Sequence, residues 1–310
     1  MPVCLGLDTS NYTTSAAIFD GAGGKNCGKL LEVSEGALGL RQSDALFQHV
    51  KRLPDLFAAL RRDGALQHID AVGASTQPRA VEGSYMPCFL PGETVGRCLA
   101  DALGVPFFAC AHQEGHIAAA AWSAGRTDLL DRPHLAWHLS GGTTELLYVE
   151  PDGHGVKAER IGGTSDISAG QLIDRTGKLL GLNFPAGKAL DALTEGEEKG
   201  NYFRVKLNEY TFSLSGVENQ VKAMAERGED PKRIACYAMD TVAHAVLTAT
   251  RAAWKDRPGL PVLCSGGVAS SRRLRQWMQE AVFAAPEYST DNAMGVAILT
   301  HRWLTGEERS

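Results

Sequence analysis

Leu135-Ala-Trp-His-Leu-Ser140-Gly-Gly-Thr-Thr-Glu145-Leu-Leu-Tyr-Val-Glu150 reads as an apolar strand, a small polar turn and a second strand. The chain opens with the same grammar. Val3-Cys-Leu-Gly-Leu is a buried-strand run, Asp8-Thr-Ser-Asn is turn chemistry, and Thr14-Ser-Ala-Ala-Ile-Phe is a second strand. The two stretches share a pattern more than residues, and a shared pattern at this distance marks an internal repeat. Two α/β halves that each open this way predict a duplicated, two-lobed fold with a ligand between the lobes.

Working outward, Ser43 to Leu60 keeps helical spacing through Leu46, Phe47, Val50, Leu53, Leu56, Phe57 and Leu60, with Pro54 expected to bend or restart the helix. A strand over Ile69–Ser75, a helix over Glu93–Gly104 and a strand over Val105–Cys110 follow. The second half adds helices from Gln171, Lys188 and Ile234, a buried strand Leu260-Pro-Val-Leu-Cys264 and a last helix from Asp291. This alternation favours α/β. The opening also resembles that of the actin and sugar-kinase folds, which implies an N-terminal lobe over 1–111 and a C-terminal lobe over 112–310. The last helix is expected to pack back on the N-terminal lobe.

Composition narrows the function. With 310 residues and 44% hydrophobic content the chain can bury a substantial core. Its net charge of −5 argues against a basic coat for nucleic acid, so any RNA partner must be gripped locally. No apolar run is long enough for a membrane span and no signal segment is read, which suggests a cytoplasmic protein. The seven cysteines are scattered and never spaced C-x-x-C, so neither a disulfide framework nor a thiolate metal site is expected.

His112 and His116 lie four apart, on one face of an expected helix, and both imidazoles can reach one metal ion. Asp291, an acid at an expected helix start, is the candidate third ligand. The competing reading is that the histidines cap and pack the helix. His112-Gln-Glu-Gly-His116 places its acid, Glu114, about 100° from where H-E-x-x-H would, so a metallopeptidase is the weakest reading. The turn Ser140-Gly141-Gly142-Thr143-Thr144 offers backbone N–H groups and hydroxyls to an anion. Ser265-Gly266-Gly267 precedes a helix start that could take a phosphate or serve as an adenine platform. Asp174 could pair with Arg175 or Lys178 or accept from a ribose. No P-loop, Rossmann fingerprint or nucleophile elbow is present.

Several blocks in order resemble the TsaD family of tRNA threonylcarbamoyladenosine transferases, once described as O-sialoglycoprotein endopeptidases, of the actin-like ATPase superfamily. They are Gly6-Leu-Asp-Thr-Ser, Ala111-His-Gln-Glu-Gly-His116, Leu139-Ser-Gly-Gly142, Asp174-Arg-Thr-Gly-Lys-Leu-Leu-Gly-Leu182 with Pro185-Ala-Gly187, Phe212-Ser-Leu-Ser-Gly216, Gly266-Gly-Val-Ala and Thr290-Asp291. The resemblance implies one divalent metal ion, iron or zinc, on His112, His116 and Asp291. It also implies ATP or threonylcarbamoyl-AMP at Ser140, Gly141, Gly142, Thr143, Thr144, Asp174, Gly187, Gly266, Gly267 and Ser271. The implied partners are tRNA and the other subunits of a transferase complex, with no membrane.

The chain departs from the family pattern at Asn11, Tyr12 and Thr13 in the opening motif, at Thr143 and Glu145 in the glycine turn, at Glu218, and at Ser271 where the family has Asn. Each change removes a polar contact or adds repulsion toward an anion. Two readings follow: a transferase carrying threonylcarbamoyl to adenosine N6 next to the anticodon, or a nucleotide- and metal-binding paralogue without that activity.

Overall fold

Every residue of Cys4–Asp8 (β1) and Thr13–Phe19 (β2) is buried, and the two pair antiparallel from Cys4↔Phe19 to Asp8↔Ser15. The computed structural model describes residues 1–10, 12–33 and 40–306, so Asn11 lies outside the described residues. The elements continue as Gly24–Leu30 (β3), Gln42–Arg62 (α1), Ala71–Gln77 (β4), Leu90–Leu103 (α2), Phe107–Ala111 (β5) and His112–Ser123 (α3). Next come His134–Leu139 (β6), Thr144–Asp152 (β7), Gly155–Thr164 (β8), Ala169–Leu179 (α4), Gly187–Leu193 (α5) and Thr211–Phe212 (β9). Ser215–Glu226 (α6), Pro231–Asp256 (α7), Val262–Ser265 (β10), Arg272–Trp277 (α8), Val282–Phe283 (β11) and Met294–Thr305 (α9) complete them.

The strands form two sheets, ordered β3-β2-β1-β4-β5 and β11-β10-β6-β7-β8-β9. In the first, β1 pairs antiparallel with β2 and parallel with β4. In the second, β6 pairs antiparallel with β7 and parallel with β10. Each opening strand therefore occupies the same place in its sheet, and the repeat heard in the sequence is a repeat of topology.

Besides the two-residue strands β9 and β11, two longer strands escape the sequence pattern. Gly24–Leu30 has no buried residue, yet it matches β2 residue for residue from Thr13↔Leu30 to Phe19↔Gly24. Backbone hydrogen bonds hold this edge, so no apolar alternation records it. Gly155–Thr164 carries Lys157, Glu159 and Arg160 on a partly exposed strand and is hidden in the same way. Pro54 lies inside α1, which runs unbroken from Gln42 to Arg62.

The chain divides into two compact units: Met1–Arg132 with Glu150–Ala158 and Asp291–Ser310, and Pro133–Val149 with Glu159–Thr290. The first unit thus runs past the expected division at 111/112 to include α3. The cause is a close crossing with α9. A Cβ on Gly295 would stand 1.7 Å from the Gly115 carbonyl oxygen, so only glycine lets the two backbones meet there. The start of α9 also lies on β1, where a Cβ on Gly6 would stand 2.4 Å from Ala297 N. The second unit is built around Trp137, Leu146, Leu172, Leu190, Val246 and Cys264.

Candidate metal and nucleotide sites

His112 opens α3 and His116 follows one turn later, so both imidazoles leave the helix on one face. Asp291 precedes α9, which begins at Met294 rather than at Asp291. The crossing at Gly115 and Gly295 sits between the two histidine positions and brings the Asp291 turn to them. The two Nε2 atoms are 2.9 Å apart, and Asp291 Oδ1 lies 3.3 Å from His116 Nε2 and 3.7 Å from His112 Nε2. Ligands at about 2.1 Å from a tetrahedral centre lie roughly 3.4 Å apart, so the spacing and the N, N, O chemistry fit one divalent ion.

Sequence reasoning read Asp8 only as turn chemistry. Fully buried at the end of β1, it accepts the His112 Nδ1 proton at 2.6 Å and the Ser10 N–H at 2.7 Å. This bond holds the Nδ1 proton on the Asp8 side, so a cation that displaces the Nε2 proton of His112 meets the lone pair there. Burial works against charge on both groups, but their mutual attraction wins. The Asp8 carboxyl stays below its usual range, and His112 is lifted to about 9. The available signal was an acid closing a wholly apolar strand.

Glu114 does not serve the cluster. Its Oε2 accepts the Ala111 N–H at 2.6 Å and caps α3, and burial raises its pKa. No observation supports the peptidase reading.

The second unit holds the glycine turns. β6 and β10 run parallel and adjacent, with Ser265 beside His138, so the turns after them leave the same edge of the sheet. A Cβ on Gly266 (φ +95°) would stand 2.2 Å from the Leu139 carbonyl oxygen, which ties that position to glycine. Gly141, Gly142 and Gly267 instead face open space. Ser140 and Thr143 close their turn by Ser140 N–H to Thr143 O at 2.8 Å and Thr143 N–H to Ser140 Oγ at 3.0 Å. The N-terminus of α4 abuts this turn: Ser168 Oγ donates to Gly141 O at 2.6 Å and Ala169 N–H to Thr144 Oγ1 at 2.8 Å. Exposed glycine backbone beside a helix start is an arrangement that accepts anions.

Other expected site residues have different tasks. Asp174 Oδ1 accepts the Ala186 N–H at 2.8 Å, tethering the loop before Gly187, while Arg175 pairs with Glu218 at 2.7 Å. The expected phosphate site at the start of α8 is a correction. Asp191 accepts the N–H groups of Arg272 and Arg273 at 3.1 and 3.2 Å, and Ser271 accepts that of Leu274 at 3.2 Å. Ser271 also donates to Asp191 at 2.6 Å, so it is a buried helix cap.

Two of the departures, Glu145 and Glu218, have local cation partners. Glu145 lies 3.6 Å from Arg160 on the neighbouring β8. Arg160 is fixed in turn by the carbonyls of Gly162 and Thr164. Glu218 is held below the usual carboxylate range by Lys222 and Arg175, each at 2.7 Å.

Full-length HypF, solved in its phosphate- and nucleotide-bound form, superposes with a TM-score of 0.59 at 15% identity, covering all of this chain and 56% of that one. The fold is that of the actin-like ATPases. The family model described as tRNA N6-adenosine threonylcarbamoyltransferase, TsaD, matches residues 39–298. The protein of that name from Prochlorococcus marinus (strain MIT 9303) is 31% identical, covering all of this chain and 93% of its own. One from Thermus thermophilus is 32% identical, covering 96% and 92%. The chain belongs to the TsaD family.

Proposed function

We propose that this chain transfers a threonylcarbamoyl group from threonylcarbamoyl-AMP to N6 of adenosine in tRNA. Family membership across nearly the whole chain carries this reading, and the retained cluster of His112, His116 and Asp291 agrees with it. In the reaction the N6 amine attacks the carbamoyl carbon, the bond from that carbon to the phosphate oxygen breaks, and N6 loses a proton as AMP departs. His112, His116 and Asp291 would hold one iron or zinc ion, which when bound would act as a Lewis acid. Asp8 keeps His112 oriented. The Gly141 and Gly142 backbone offers N–H groups to the phosphate, and Asp174 holds the loop leading to Gly187, where the nucleoside would lie. Arg160 keeps the Glu145 charge from standing alone near an anion, which would otherwise oppose binding by about 4 kcal/mol at ~4 Å and an effective dielectric near 20.

The other subunits of a transferase complex are expected partners, and a tRNA substrate implies work in the cytoplasm. Among the described residues no helix is long and apolar enough to cross a membrane. The test is nucleoside analysis of unmodified tRNA incubated with threonylcarbamoyl-AMP and the protein, with and without those subunits. Threonylcarbamoyladenosine is expected. Its absence while nucleotide and metal both bind would favour the paralogue without transferase activity.

A further inference from the structure

The second unit carries an aromatic and cationic surface around Tyr202, His244 and Trp277. The segment 197–203 is strapped onto α7 by a buried ion pair. Arg273 and Asp240, 2% and 0% exposed at their side chains, lie 2.6 Å apart. Arg273 also donates to the carbonyls of Glu197 and Glu198 at 2.6 Å each, while Gly200 N–H reaches Asp240 and Phe203 N–H reaches Thr241 Oγ1. On this fixed strap the Tyr202 ring stacks on His244 with centroids 4.0 Å apart and planes 22° from parallel. Trp277 meets both edge-on at 5.4 and 5.8 Å, and Lys199 lies 5.7 Å from its ring centre. Arg204 and Arg251 are exposed and near enough to His244 that their charges, after burial, depress its proton affinity. Neither arginine has a carboxylate partner among the described residues.

Arg204 follows Tyr202 by two residues and Arg251 follows His244 by two turns of α7, so both cations stand beside the ring stack, and stacked rings offer a π-face to an unpaired base. We propose that Tyr202, His244, Arg204 and Arg251 form a docking surface for the tRNA substrate, gripping its phosphates and one unstacked base. This rests on the functional reading above. The choice of RNA follows from charge complementarity. A chain of net charge −5 must concentrate its attraction for a polyanion, and here two exposed arginines with no carboxylate partner among the described residues flank an aromatic strap that a buried ion pair holds in place. Guanidinium forks suit phosphate oxygens, and aromatic rings suit any exposed base.

The test is fluorescence anisotropy with labelled, unmodified tRNA between about 50 and 200 mM salt, alongside melting temperature and nucleotide affinity. Charge reversal in Arg204→Glu/Arg251→Glu is expected to weaken tRNA binding at least about tenfold and to flatten the salt slope by about 2, with melting and nucleotide binding unchanged. Arg204→Lys/Arg251→Lys should retain the slope, and Tyr202→Ala should lose roughly fivefold in affinity at an unchanged slope. Wild-type affinity and slope in the reversal variant, while the wild-type chain binds tRNA, would overturn the surface and leave the functional reading standing. A reversal that spares tRNA but abolishes association with another subunit would reassign the surface to a protein and overturn the proposal. Absence of both tRNA binding and modified adenosine with the wild-type chain would remove the functional reading, and this proposal with it.

Discussion

The metal cluster and the glycine turns are built from opposite materials. In the first unit the chemistry lies in side chains: two half-buried imidazoles, half-buried Asp291, and buried Asp8 behind His112. In the second it lies in exposed backbone at Gly141, Gly142 and Gly267, where no neighbouring atom would meet an added Cβ. A side-chain site fails when one donor or its support is altered. A backbone site tolerates many changes around it and fails when bulk enters the space its ligand needs.

The largest expected effect is at His116. Its substitution by Ala removes one of the three proposed ligands and should lower affinity for added divalent metal by more than the roughly 100-fold that loss of a supporting carboxylate can reach, as read by competition with a chelator. Gly295→Ala approaches the same site without touching a ligand. The new Cβ would collide with the Gly115 carbonyl, so α9 must shift, costing about 1–3 kcal/mol of stability and displacing Asp291 from the histidines. A thermal melt and a metal titration on that variant should both move. Asp8→Asn keeps size but gives up the charge that orients His112, and a loss of metal affinity of about 10- to 100-fold with far-UV circular dichroism unchanged is expected. Wild-type metal affinity in that variant would break the contrast between the two regions, because the support would then be dispensable.

For the turns, Gly142→Arg should weaken nucleotide binding about tenfold or more in calorimetry while the melting temperature holds, since the side chain enters open space. The smallest effect is expected at Glu145. With Arg160 already beside it, Glu145→Gln should change nucleotide affinity less than about threefold. A gain of a hundredfold would mean that the ion pair does not shield the phosphate turn.

The legible parts of the sequence were those recorded by periodicity or by residue type. Apolar runs announced β1, β2, β6, β7 and β10, and the i, i+4 histidines announced one face of α3. Hidden were features that depend on contacts distant in the chain. Gly6, Gly115 and Gly295 look like any small residues until two backbones are seen to touch. Asp8 and His112 are 104 positions apart. Arg160 could not be matched to Glu145 because β8 does not read as a strand. Ser271 looked like a weakened ligand contact because Asp191, which it holds, lies 80 residues earlier.

The central claim is that a side-chain metal site in the first unit is required for transfer by this chain. The most direct measurement takes metal content and threonylcarbamoyladenosine yield from the same preparations of wild-type protein and His116→Ala, with the other subunits of the complex supplied. One metal ion per chain and product are expected from the wild type, and neither from the variant. Product at the wild-type rate from metal-free His116→Ala would contradict it.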